Sequence, residues 1–196
     1  FEQLHKIYIL CNKKISIDAL LLIFPSVFRP HFFKIIGVLI SKRGNYHIIL
    51  YTNNNGPRYF IDGVIDFLNS KFNSIVFNHI IYGYSTSDGN KELCRMNQKK
   101  RFNDLLPCTG ITYDNILFLD DCLHIDMIDE RVEYLQVEPY FYNCYKELDI
   151  LEKFLNKEKL RDLKNIIKKD IIPKSCSDTE NIQIAKAIIL YVYNLK

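Results

Sequence analysis

The chain has 196 residues, 48% of them hydrophobic and 25% charged, which suffices for one domain with a real core and excludes a disordered chain. Its formal net charge of +3, from 26 basic and 23 acidic residues, is too mild to argue for nucleic acid on charge alone. No apolar run reaches membrane-spanning length, so no membrane partner is expected. Phe1 is not an initiator residue, so upstream sequence is expected.

In chain order, Lys6–Leu10 is apolar and partly β-branched and predicts a first strand. Ile17–Phe24 is a second apolar stretch, stopped by Pro25. Arg29-Pro30 leads into His31–Ser41, where Phe32, Ile35, Ile36, Leu39 and Ile40 recur at helical spacing. His47–Tyr51 predicts a strand buried on both faces. It ends in Thr52-Asn53-Asn54-Asn55-Gly56, a loop of small polar residues ahead of a helix starting near Pro57, with Phe60, Val64, Phe67 and Leu68 inward. A helix N-terminus there favours an anion, although Asn and Gly are also ordinary turn residues.

Ile75–Phe77 predicts a short strand, and Tyr82–Gly89 a polar loop. Lys99-Lys100-Arg101-Phe102 opens a helix through Leu106. Asn115–Asp121 is an apolar run of strand length that ends in two adjacent carboxylates, Asp120 and Asp121. Arg131–Val137 is the last plausible sheet strand. Strands alternating with helices predict an α/β fold, a doubly wound and mostly parallel Rossmann-like sheet. Past Tyr145 the pattern is helical throughout. Ile182, Ala185, Ile188, Ile189 and Val192 form one stripe there. The division expected is a domain over residues 1–156 and a helical extension over 157–196.

The chemistry is expected at the carboxyl ends of the strands, where such sheets bind ligands. Two carboxylates at that edge cost folding energy unless a cation meets them, and Mg²⁺ is the usual one. The six cysteines, Cys11, Cys94, Cys108, Cys122, Cys144 and Cys176, include no Cys-x-x-Cys pair, so a zinc site is not indicated. Reduced thiols are expected, although an even count leaves disulfides open. Cys122 reads as a small core residue and His124 as a surface or packed histidine. Lys99-Lys100-Arg101 and the Lys157–Lys174 region are basic, but Glu158, Asp162 and Asp170 interleave with the latter, so a solvated face is favoured over a nucleic-acid stripe.

Thr52 with its Asn run, the lysine pair and Asp120-Asp121, in that order, resemble the haloacid dehalogenase-like (HAD) phosphatase superfamily. Ile48-Ile49-Leu50-Tyr51-Thr52-Asn53 resembles that family's second motif, and Lys99 or Lys100 its third. Thr109 to Asp121 is similar to the fourth motif of magnesium-dependent-phosphatase-like members. Arg29-Pro30 resembles the small-capped C-terminal-domain phosphatases, the NLI-interacting-factor-like group. The resemblance covers roughly Lys6 to Leu155. It implies a minimal cap, phosphate binding by Thr52, Asn53, Lys99 and Lys100, and Mg²⁺ on Asp120 and Asp121.

The first motif departs from the family. Where the resemblance implies two aspartates one residue apart, as nucleophile and acid/base, this chain has Cys11 and Lys13, with Ile15 in the Thr slot. Cys11 can serve as nucleophile in that slot only if its thiolate is stabilised, as by Lys13 and Lys14. Lys13 in the acid/base slot can pair with Asp120 or Asp121, which leaves two expectations, Mg²⁺ or a lysine in its place. The expectation is a catalytically degenerate domain serving protein interaction or assembly, intracellular, in cytoplasm or nucleus. The divergent form and the Ile-, Asn- and Lys-rich composition of an AT-rich genome resemble a nucleocapsid assembly protein of the baculovirus–nudivirus type, which would place it in a virion. The alternative is an active Mg²⁺-dependent phosphatase acting on phosphoprotein or nucleic-acid ends.

Overall fold

The structure, a computed structural model, describes residues 2–11, 15–44, 46–140 and, singly, 161, 183, 186 and 188. Helices α1 (Glu2–Leu10), α2 (Ile17–Ile23) and α3 (Phe32–Ser41) come first. Then follow β1 (Ile49–Tyr51), α4 (Arg58–Phe72), β2 (His79–Ile81), α5 (Leu105–Thr109), β3 (Ile116–Asp120) and β4 (Val132–Gln136). The fold is mixed α/β with short parallel strands.

The predicted first strand is a helix. Lys6–Leu10 is too short to separate the two periods. Extended to its flanks, the burial is helical: Leu4, Ile7 and Cys11 are buried at spacings of three and four, while Ile9 is 45% exposed. Ser16 caps α2, its hydroxyl accepting from the Ala19 amide at 3.1 Å. The predicted inward face of α4, Phe60, Val64, Phe67 and Leu68, is buried, and the helix ends on Asn73 in the left-handed region. These helices share one core, in which Leu4, Ile7, Cys11, Leu20, Phe24 and Phe60 meet.

The strand predicted at Ile75–Phe77 forms later, at His79–Ile81; Val76 is instead buried in the helical core, its amide donating to Asn69 Oδ1 at 2.8 Å. Lys99 to Arg101 precede a 3₁₀ turn at Phe102–Asp104, and only then does α5 begin. Pro107 is tolerated within α5 because it lies in the first turn, where no intrahelical partner waits for its missing N–H.

β1 pairs with β2, and β3 with β4, each in parallel register, and among the described residues they form two two-stranded sheets. A second core unites them: Tyr51, Ile81, Leu105, Phe118 and Met127 are buried together, with Ile49, Ile116, Val132 and Tyr134 against them. The opposite face of β3 meets α3, where Leu117 and Val137 pack with Ile35, Leu39 and Ile188. Ile188 of the predicted C-terminal stripe thus packs on this body. The boundary expected near residue 156 lies outside the described residues. No described helix is long and apolar enough to cross a membrane.

Candidate functional site

The carboxyl ends of β1 and β3 carry the predicted site residues Thr52, Asn53, Asp120 and Asp121. β1 hands the chain to Thr52 and the Asn run. Thr52 Oγ1 accepts from the Asn54 amide at 3.0 Å, and Asn54 Oδ1 from the Gly56 amide at 2.7 Å. These local bonds shape the turn and satisfy the Asn54 and Gly56 amides. The expected anion at the start of α4 is supplied by the chain itself: Asp88 Oδ2 accepts from the Arg58 amide at 3.0 Å. The Thr86 hydroxyl, at 2.5 Å, leads the bonds that hold the Asp88 carboxyl below its usual value.

Arg95 organises the loop. Its side chain is fully buried. It donates to the carbonyls of Thr52 at 3.0 Å, Tyr82 at 2.7 Å, and Gln98 and Lys99 at 3.0 Å each, and to Asn53 Oδ1 at 2.8 Å. Its guanidinium lies 4.8 Å over the Tyr51 ring. The Tyr51 hydroxyl donates to Asp104 Oδ2 at 2.8 Å and accepts from the Arg101 amide at 3.0 Å. Burial, first, and the Asp104 carboxylate push the Tyr51 phenol well above its usual value, against the opposing pull of the Arg101 amide and Arg95. A disulfide, Cys94–Cys108, closes the segment that carries Arg95, Lys100 and Asp104. The expectation of reduced thiols does not hold at this pair. Spacing could not reveal it, because the two cysteines are brought together by the fold of the intervening loop.

Lys100 reaches across to β3. Its ammonium is 2.5 Å from Asp120 Oδ2 and lies 5.8 Å from the Tyr51 ring and 5.7 Å from the Phe118 ring. The other Asp120 oxygen accepts from the Cys122 amide at 2.9 Å and stands 3.3 Å from His124 Nε2. Burial raises the Asp120 pKa, but the Lys100 bond, the Cys122 amide and the charges of Lys100 and His124 outweigh it, leaving the carboxyl below its ordinary value. Tyr134 fixes the turn, its hydroxyl accepting from the His124 amide at 3.1 Å and donating to the Cys122 carbonyl at 2.6 Å.

Lys100 and Asp120 are therefore brought together, and Thr52 and Asn53 are tied through Arg95 to the segment that carries Lys100. Lys99 is exposed, and its carbonyl serves Arg95. Asp121 is exposed and lines an open hollow of about 400 Å³ with Gln136, Val137, Glu138 and Pro139. Cys122, expected in the core, is exposed, because the chain turns outward as soon as β3 ends. Cys11 lies in the helical core, 1% exposed among Leu4, Ile7 and Phe24, so the nucleophile slot read from the sequence is not at this site. Its misplacement follows from reading α1 as the first strand. Lys13 lies outside the described residues.

Sequence reasoning missed Arg95 and the contact of His124 with Asp120. His124 follows Asp120 by four residues, a spacing that signals proximity only once the turn between them is known. Arg95 stood in a polar stretch with no pattern to mark it.

The resemblance implies Mg²⁺ on Asp120 and Asp121. The ligand atoms of Asp120, Asp121 and Cys122 lie within 4.8 Å of one another. They do not fit Mg²⁺ as arranged. Both Asp120 oxygens already have partners, and the third donor is a soft sulfur that Mg²⁺ disfavours. The arrangement can hold charged and polar groups in fixed register at the strand ends. Compared with known proteins, the chain matches no family model, no curated protein and no solved structure.

Proposed function

We propose that this chain is a catalytically degenerate HAD-like phosphatase domain that serves protein interaction or assembly. One observation carries the reading. Asp120, the acid that the resemblance assigns to a metal, is neutralised within the chain by Lys100 at 2.5 Å with His124 beside it. The lysine that meets Asp120 among the described residues is Lys100. Cys11, buried in the helical core, offers no nucleophile to the strand ends, since a nucleophile must be within reach of the reacting group. The doubly wound sheet, the minimal cap and the nucleocapsid setting rest on the sequence resemblance and the AT-rich composition.

The test is hydrolysis of p-nitrophenyl phosphate with and without Mg²⁺, by wild type and by Asp120→Asn, with thermal unfolding measured alongside. The expected outcome is no turnover and no shift of the midpoint on adding Mg²⁺. Turnover that requires Mg²⁺ and disappears in Asp120→Asn would overturn the proposal in favour of an active phosphatase.

A further inference from the structure

At the amino ends of β1 and β2 the fold brings together two histidines that lie far apart in the chain. His79 opens β2 and is the register partner of Ile49. His47 stands two residues before Ile49. Side chains two apart in an extended segment share a face, so His47, Ile49 and His79 point the same way. Ile49 packs against the core that holds Tyr51 and Phe118, which places the two rings at the amino-end rim of that core. Ile48 and Asn78 lock the backbone between them. The Ile48 amide donates to Asn78 Oδ1 at 2.9 Å, and the Asn78 amide donates to the Ile48 carbonyl at 2.7 Å.

The two imidazole centroids are 5.4 Å apart, with the ring planes inclined at 50°. One metal ion held by two histidines imposes a similar spacing. An ion about 2.1 Å from a ring nitrogen lies about 3.2 Å from that ring's centroid, and a tetrahedral angle at the ion then sets two such centroids about 5.2 Å apart. His47 also has the second partner that ligating histidines ordinarily have. Its Nδ1 is 3.3 Å from the Tyr113 hydroxyl, and the two rings meet edge to face with centroids 6.0 Å apart. In the tautomer that donates Nδ1–H to the Tyr113 oxygen, Nε2 keeps its lone pair for a metal. His47 is exposed and His79 half-buried.

We infer that His47 and His79 form a site for a divalent transition-metal ion that favours imidazole, such as Zn²⁺, with water filling its remaining positions. Nitrogen donors select such an ion over Mg²⁺ and Ca²⁺, which take oxygen ligands. An ion there joins the segment before β1 to the first residue of β2 and fastens the start of that parallel pair. The inference rests on strand register and ring geometry. It stands apart from the phosphatase-derived reading, which concerns the carboxyl ends of the strands.

The test is a Zn²⁺ titration of the whole 196-residue chain with ¹⁵N-labelled histidine, its ring nitrogens followed by NMR. The pH is held at about 7.5, where a free imidazole is mostly neutral. We expect the His47 and His79 ring signals to move together and to saturate at one ion per pair, with the metal-bound shift on His47 Nε2. His79→Gln should weaken the His47 response by about tenfold or more. Mg²⁺ at the same concentrations should move neither ring. The inference is overturned if one ring or neither responds to Zn²⁺, or if the metal-bound shift falls on His47 Nδ1. It is equally overturned if His79→Gln leaves the His47 response unchanged, or if Mg²⁺ produces the same shifts. Should His79→Gln fail to fold, the wild-type titration decides by itself.

Discussion

Asp120 is a carboxylate held by Lys100, His124 and the Cys122 amide, and removing one of them exposes what it contributes. Lys100→Met leaves an acid at a largely buried position with its strongest bond gone. We expect a loss of about 2 kcal/mol in urea unfolding and an upward move of the Asp120 pKa followed by carboxyl NMR. The pH dependence has a definite sign. The folded carboxyl lies below its ordinary value of 3.8, so its contribution is fully present above that value and is lost as pH falls through the lowered folded value. The stability difference between wild type and Asp120→Asn should therefore be constant near neutrality and shrink in acid below about pH 4. A difference that grew on acidification would contradict the pairing. Gly83 is a second local test. A Cβ there would stand 2.6 Å from the Asn54 carbonyl oxygen, a backbone atom that cannot step aside. Gly83→Ala should cost about 2 kcal/mol, read from chemical denaturation.

At the scale of elements, the segment from Cys94 to Cys108 behaves as one clamp. Arg95 ties it to the Thr52 loop, Asp104 to Tyr51, and Lys100 to β3. The disulfide spans a sequence separation of 14, and its loss through a Cys94→Ser/Cys108→Ser double substitution should cost about 3 kcal/mol. Loosening of the clamp should also appear as faster amide exchange at Arg101, whose N–H donates to Tyr51. α1 makes the opposite point about Cys11. In the helical core its thiol packs as a small apolar group, so Cys11→Ser should lower stability by about 1 kcal/mol without altering any ligand response at the strand ends.

For the whole molecule, helices α1 to α4 assemble one core and the strands a second, and β3 and α3 enclose a third small contact around Ile35 and Ile188. The alternation of strands and helices, the inward face of α4, the β3 and β4 strands and the acid pair at a strand end were legible in the chain, because each is a local pattern of period or termination. The first helix was not, because the five residues Lys6–Leu10 satisfy both periods and only burial of Leu4, Ile7 and Cys11 chose between them. By itself the sequence determined that this is an α/β chain with polar and acidic residues at strand ends. The tertiary structure alone decided that Lys100 meets Asp120, that Arg95 gathers five acceptors, that Cys94 bonds Cys108, and that β1 pairs with β2 and β3 with β4. Each of these joins residues through loops whose paths depend on long-range packing, and local periodicity carries no record of such paths.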